Sequence, residues 1–136
     1  MIVVDSSAVV AILFGEPAAP ALLARLAQDQ DRVMSVAGYL ETGTVLAGRR
    51  IGDPMRAIDD LEQFVDQAGI TLAPVDGAQA RLALRCRIKF GRGMGHGGAL
   101  NFGDTFAYAL AKAQGAPLLY VGNDFSTTDV DTAMAS

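Results

Sequence analysis

A single cysteine, Cys86, leaves the chain unable to form an internal disulfide, which fits a reducing compartment. With only one histidine, His96, beside it, the sequence has too few nitrogen and sulfur ligands for a zinc site of the usual kind. The N-terminal stretch is also not expected to be a secretion signal. The apolar run from Ala8 to Phe14 has no basic segment before it, and Asp5 stands where positive charge would be wanted. That run is too short to span a bilayer, so it reads as core, and the protein is expected in the cytoplasm, away from membranes. Nor is there an excess of positive charge: the formal net charge is −4, which taken alone argues mildly against a nucleic-acid binder.

Hydrophobic residues are not scarce. They make up 51% of the 136 positions, which excludes a disordered chain and supplies one core. The few basic residues are unevenly placed. Five of the eleven fall between Arg81 and Arg92 with no acid among them.

Along the chain, Ile2–Val4 reads as a buried strand, followed by helices over Ser6–Phe14 and Pro17–Gln28. Arg32–Ser35 is a further strand. Positions 36, 39, 40, 43, 46 and 47 are apolar or small, a helical spacing that predicts a helix over Val36–Arg50. Asp53-Pro54 starts a helix to about Ala68. Ile70–Val75 is a strand, and Asp76 with Gln79 resembles a capping box for a helix to Phe90. A loop with five glycines spans Gly91–Gly98. Asn101 caps a helix to Gln114, Pro117–Val121 is a buried strand, and Gly122-Asn123-Asp124 is a turn. Strands alternating with helices predict one α/β domain over residues 1–136: a central parallel sheet flanked by helices on both faces. Ligands of such sheets bind at the carboxyl ends of the strands, where Asp5 and Asp124 both fall.

Four acids stand out: Asp5, Glu41, Asp104 and Asp124. Singly, each has a plain structural reading as a helix cap, a solvated helical residue or a turn residue. Together they differ from ordinary surface acids. Asp59 and Asp60 follow Arg56 at helical spacing, whereas Glu41 has Ala37 and Val45 at i±4 and Asp104 has Leu100 and Tyr108. Ala37, Thr44 and Gly48 leave the Glu41 side of its helix open to close approach by other chain. If the four converge, carboxylates about 4 Å apart repel by roughly 4 kcal/mol at an effective dielectric of 20. Mg²⁺ or Mn²⁺ relieves this, because hard cations take oxygen ligands. The chemistry implied is water activated by one or two metal ions attacking a phosphodiester.

The segments IVVDSSAVVAILFGEP, Tyr39-Leu40-Glu41-Thr42, and ALNFGDTFAYALAKAQGAPLLYVGNDFSTTDV carry a resemblance that covers nearly the whole chain. They resemble a PIN domain, specifically a VapC-type ribonuclease toxin of a toxin–antitoxin pair. The resemblance implies that Asp5, Glu41, Asp104 and Asp124 form an acidic pocket holding Mg²⁺ or Mn²⁺. It also implies Ser6 as an orienting auxiliary, Asp129 as a substitute or assistant for Asp124, an RNA substrate, an antitoxin partner and a homodimer. Where relatives often carry proline after the loop histidine, this chain has His96-Gly97-Gly98.

Arg81, Arg85 and Lys89 are spaced i, i+4, i+8 and form one helical row, next to Ala78, Leu82, Cys86 and Phe90, which read as core-facing. The row is either a solvated face or, with Arg92, a set of phosphate contacts. His96 reads as a general acid or RNA contact, and Cys86 as a buried small hydrophobe. Two rivals remain: a PIN nuclease or RNA-binding PIN protein without a toxin role, and a receiver-like phosphoacceptor module. The receiver wants a lysine just after the late strand, and no lysine follows Lys112.

Overall fold

In the computed structural model, which describes residues 1–134, four short parallel strands form one sheet in the order β3-β2-β1-β4. They are β1 (Ile2–Val4), β2 (Arg32–Ser35), β3 (Ile70–Ala73) and β4 (Leu118–Leu119). The connecting helices are α1 (Ser6–Leu13), α2 (Ala19–Leu26), α3 (Val36–Arg49), α4 (Pro54–Gln67), α5 (Gly77–Phe90) and α6 (Asp104–Gln114).

Both faces of the sheet are buried, as the β-branched run of β1 requires. Successive side chains point to opposite faces, and the two cores divide accordingly. Ile2 and Val4, Met34 and Leu119 join α1 to α4 on one face. Val3, Val33 and Leu118 join α5 and α6 on the other. The expected both-face covering is therefore observed residue by residue. Helix starts follow the expected chemistry: Asp53 accepts from the Met55 N–H at 2.9 Å, and Asp76 from the Gln79 N–H at 2.8 Å.

Some expectations are corrected. The third strand stops at Ala73, and the last keeps only Leu118 and Leu119, with Thr132 of the C-terminal segment paired beside it. Of the apolar or small positions on α3, Gly43 and Leu46 are buried, joined by Thr42, while Val36 and Leu40 face solvent. On α5 the buried row is Gln79, Ala83 and Cys86, so Ala78 turns outward. In both helices the neighbour that packs, not the local apolar pattern, chose the inward face. Cys86 is buried as expected, and burial pushes its thiol up to about 12, with Asp129 and Asp104 adding to the rise.

The strand order places the site. The chain moves from β1 outward to β2 and β3, then returns to the other side of β1 as β4. The direction of winding reverses between β1 and β4, and in open sheets that switch point opens a crevice at the carboxyl ends of the strands.

Candidate active site

Asp5 follows β1 directly and is 3% exposed. Its Oδ2 accepts from the Ser7 backbone N–H at 3.0 Å, capping α1, and from the Ser7 hydroxyl at 2.6 Å. The Ser7 oxygen in turn accepts from the Val121 N–H at 3.0 Å. Ser7 thus fastens Asp5 to the segment leaving β4, across the switch point. Burial pushes the Asp5 carboxyl up to about 6; the Ser7 hydrogen bonds oppose that rise, and the charges of Asp104 and Glu41 reinforce it.

Asp104 opens α6 and is also buried. It exchanges two hydrogen bonds with Asn101: the Asn101 N–H donates to Asp104 Oδ2 at 2.9 Å, and the Asp104 N–H donates to Asn101 Oδ1 at 3.0 Å. The N-cap position of α6 is Gly103, not the expected Asn101, but the Asn101 side chain still accepts from the first residue of the helix and orients the acid there. Burial raises the Asp104 carboxyl, the Asn101 bond opposes the rise, Asp124 and Glu41 add to it, and Arg92 pulls it back.

Glu41 reaches the same place from α3. The Ser6 hydroxyl donates to its Oε1 at 2.5 Å. Its Oε2 lies against Gly103, where a Cβ would stand 1.7 Å away. Gly103 has φ −62° and ψ −36°, an ordinary helical backbone that alanine adopts more readily than glycine. Close approach by the carboxylate, not backbone freedom, is what requires glycine there. The small residues around Glu41 foreshadow this approach, but its partner is visible only in three dimensions.

Asp124 stands exposed at the rim, in the turn after β4, near enough for its charge to act on Asp104. Four carboxylates thus share one neighbourhood, with Arg92 as the nearby cation. Among the described residues, however, no three side chains of the histidine, cysteine, aspartate or glutamate type are gathered closely enough to grip one ion as they stand. The acids form an open basin in which Asp5, Glu41 and Asp104 are each tied to a separate donor. The donor set consists of carboxylate oxygens, which fits a hard divalent cation and not a soft one.

Of the expected auxiliaries, Ser6 is bonded to Glu41, whereas Asp129 is turned to other partners. Tyr108 donates to Asp129 Oδ1 at 2.5 Å, and Lys112 forms an ion pair with Oδ2 at 3.3 Å. Asp129 therefore holds the C-terminal segment to α6, and both partners keep it occupied. His96 is likewise spent elsewhere: its Nε2 donates to the Ile88 carbonyl at 2.8 Å, tying the glycine loop to the end of α5.

The basic row is exposed as expected at Arg81, Arg85 and Lys89. The loop after it is pinned at its base, where the Arg92 N–H donates to the Leu100 carbonyl at 2.8 Å and the Leu100 N–H to the Phe90 carbonyl at 3.2 Å. Arg87 donates to the Arg92 carbonyl at 2.9 Å. These bonds bring Arg92 to the mouth of the basin. Reading the sequence alone missed Ser7, Arg87 and Gly103. Ser7 and Gly103 adjoin singled-out residues, and Arg87 lies inside the basic stretch.

Comparison with known proteins agrees with this geometry. The PIN domain family matches residues 2–131. Ribonuclease VapC28 of Mycobacterium tuberculosis is 46% identical over 134 residues, covering 97% of each chain. Among solved structures, Mycobacterium tuberculosis VapC20, described as a Sarcin-Ricin loop cleaving toxin, superposes with a TM-score of 0.75 at 16% identity, covering 96% of each chain. A toxin–antitoxin complex from Klebsiella pneumoniae gives 0.71 at 13% identity, covering 98% of each chain. At those identities the two structures bear on the fold. With the family match and the VapC28 identity, they lead to one conclusion: this chain belongs to the PIN-domain family, among its VapC ribonucleases.

Proposed function

We propose that the chain is an endoribonuclease acting as the toxin of a toxin–antitoxin pair, with Mg²⁺ or Mn²⁺ held by Asp5, Asp104, Glu41 and Asp124. The observation that carries the reading is the set of carboxylates gathered at the switch point, where Asp5 and Asp104 are both raised first by burial and further by neighbouring carboxylate charge. A fold has no use for that repulsion, and a bound cation offsets it. When bound, the cation supplies Lewis acidity toward the phosphodiester and a more acidic water. The chain's own residues do the rest. Ser7 and Asn101 hold Asp5 and Asp104 in place, and Ser6 and Gly103 seat Glu41. Arg92 meets a phosphate at the mouth, and Arg85 and Lys89 extend the cationic track.

The test is cleavage of single-stranded and structured RNAs with Mg²⁺ or Mn²⁺, and again in EDTA. Cleavage is expected with metal and lost in EDTA; cleavage that persists unchanged in EDTA overturns the mechanism. The receiver reading still lacks its lysine after β4, since Lys112 lies on α6 before that strand and is paired with Asp129. The toxin role separates from other PIN functions by growth arrest on expression, relieved by the product of the neighbouring open reading frame. No helix among the described residues is long and apolar enough to cross a membrane, and the proposed setting is the cytoplasm. The partner is an antitoxin protein, and the active unit is a homodimer. Exposed Leu84 and Ile88 on α5 and Leu40 on α3 offer apolar contact surface. A monomer by light scattering at micromolar concentration would remove the dimer.

A further inference from the structure

Phe102 is 71% exposed and sits two residues before Asp104. Burying a phenylalanine contributes roughly 1.5–3 kcal/mol to folding, so this ring forgoes that gain. It is nonetheless held firmly. The Phe106 ring braces it edge to face, with centroids 5.2 Å apart at 85°. The Phe102 carbonyl accepts from the Thr105 hydroxyl at 2.7 Å and from the Thr105 N–H at 3.3 Å. Its neighbours are Asn101, which fixes Asp104, and Gly103, which admits Glu41. An exposed aromatic face thus projects from the rigid segment between two residues that position the acids.

The ring's surroundings indicate what covers it. Asp104 follows two residues on, Glu41 lies against the adjoining Gly103, and Asp124 and Arg92 are near enough to Asp104 for their charges to act on it, whereas the core of a protein interface is depleted in charge. A nucleotide satisfies both chemistries at once: its phosphate meets Arg92 and, on the reading above, the metal ion that the carboxylates would hold, and its base stacks on an aromatic side chain. We propose that Phe102 is a stacking platform for a base beside the cleaved phosphodiester, selecting RNA in which that base is unpaired. A base inside an A-form helix is already stacked and cannot reach the ring. Stacking tolerates any base, so Phe102 selects for single-strandedness, not for sequence.

This inference rests on the ribonuclease reading, and the experiment separates the two. The substrate is a single-stranded oligoribonucleotide, free or annealed to its complement, with 2-aminopurine placed at the cleavage junction. Phe102→Ala is expected to lower kcat/KM on the free strand roughly 5- to 150-fold, mainly through KM, with an unchanged melting temperature. Phe102→Trp should retain activity. Phe102→Leu keeps apolar bulk without a π face and should behave like Phe102→Ala, with 2-aminopurine quenching lost. The Phe102→Ala loss should hold constant between 50 and 200 mM salt, because stacking releases no counterions. Phe102→Leu indistinguishable from the parent protein overturns the proposal, as does a duplex cut as fast as the free strand. A change in light-scattering mass with RNA cleavage intact assigns the ring to a protein contact instead. A parent protein that neither binds nor cuts RNA overturns the ribonuclease reading itself.

Discussion

The two ends of β1 carry acids in opposite circumstances. Before the strand, Asp29 pairs with Arg25 and, at 3.3 Å, with the Met1 amino group. The Arg25 bond leads the effects that hold its carboxyl below the ordinary range. After the strand, Asp5 lies buried among other carboxylates and is pushed up to about 6. Less than 15 Å of extended chain separates the two ends, yet one charge is neutralised and the other is opposed. The fold satisfies its charges where only stability is at stake. At the carboxyl ends of β1 and β4 it gathers unmatched negative charge, and a ligand must complete it.

The sharpest way to break this contrast is Asp104→Asn, which removes one charge and keeps an oxygen to accept from the Asn101 N–H. Cleavage should fall by more than roughly 100-fold, since even groups that merely orient a metal ligand are worth 10- to 100-fold. In EDTA the melting temperature should rise by about 3 °C, equivalent to roughly 1 kcal/mol of relieved repulsion. If Asp104 served only its helix, both quantities would hold.

Gly103→Ala should come next. Cleavage drops roughly 10- to 100-fold as the Cβ displaces Glu41, with little change in melting temperature. In a Glu41→Ala background the same change meets no carboxylate, and alanine should then stabilise by about 0.4–1 kcal/mol. Destabilisation in both backgrounds would mean that the glycine serves the backbone.

Stability against pH tests both ends of β1 at once. The folded-state pKa of Asp5 lies above its unfolded value of 3.8, so its contribution is largest below that value and disappears as pH rises through about 6. Over that window it amounts to about 3 kcal/mol. Asp29 has the opposite sign: its contribution is present above its unfolded value and is lost as pH falls through its lowered one. In EDTA the melting temperature should therefore climb from pH 7.5 to about 5 and decline below about 4. Mg²⁺ should flatten or reverse the upper limb, because metal takes the deprotonated acids. A curve that falls steadily from pH 7.5 would remove Asp5 from any strained cluster.

Arg85→Ala with Lys89→Ala should weaken RNA binding and lower the magnitude of the log–log salt slope by about 1.4 if each residue meets a phosphate. An unchanged slope would make the row a solvated face. The smallest effect belongs to Asp29→Asn, where a surface pair contributes about 1 kcal/mol or less. The melting temperature should slip slightly and cleavage stay the same. A loss of cleavage would show that the two ends of β1 are coupled.

Much of this was legible from one sequence. Periodicity and capping residues placed every helix within a few positions, because α1, α4 and α5 carry their own start signals at Asp5, Asp53 and Asp76. Glu41 and Asp104 stood out by the lack of cations at helical spacing around them, and Asp5 and Asp124 by their place just after apolar strands, all local properties. What local pattern could not reveal was which face of α3 and α5 turns inward, since several rows on each are apolar enough and the neighbouring element chooses. Nor could it separate Asp124 from Asp129: both lie in one polar stretch, and only the packing of α6 brings Tyr108 and Lys112 to the second. The bond from His96 to the Ile88 carbonyl likewise depends on the fold of its loop. Composition and spacing record what a residue is able to do. Whether its neighbours satisfy it or leave it unmatched depends on long-range contacts, and at Gly103 that means a carboxylate reaching across from another helix.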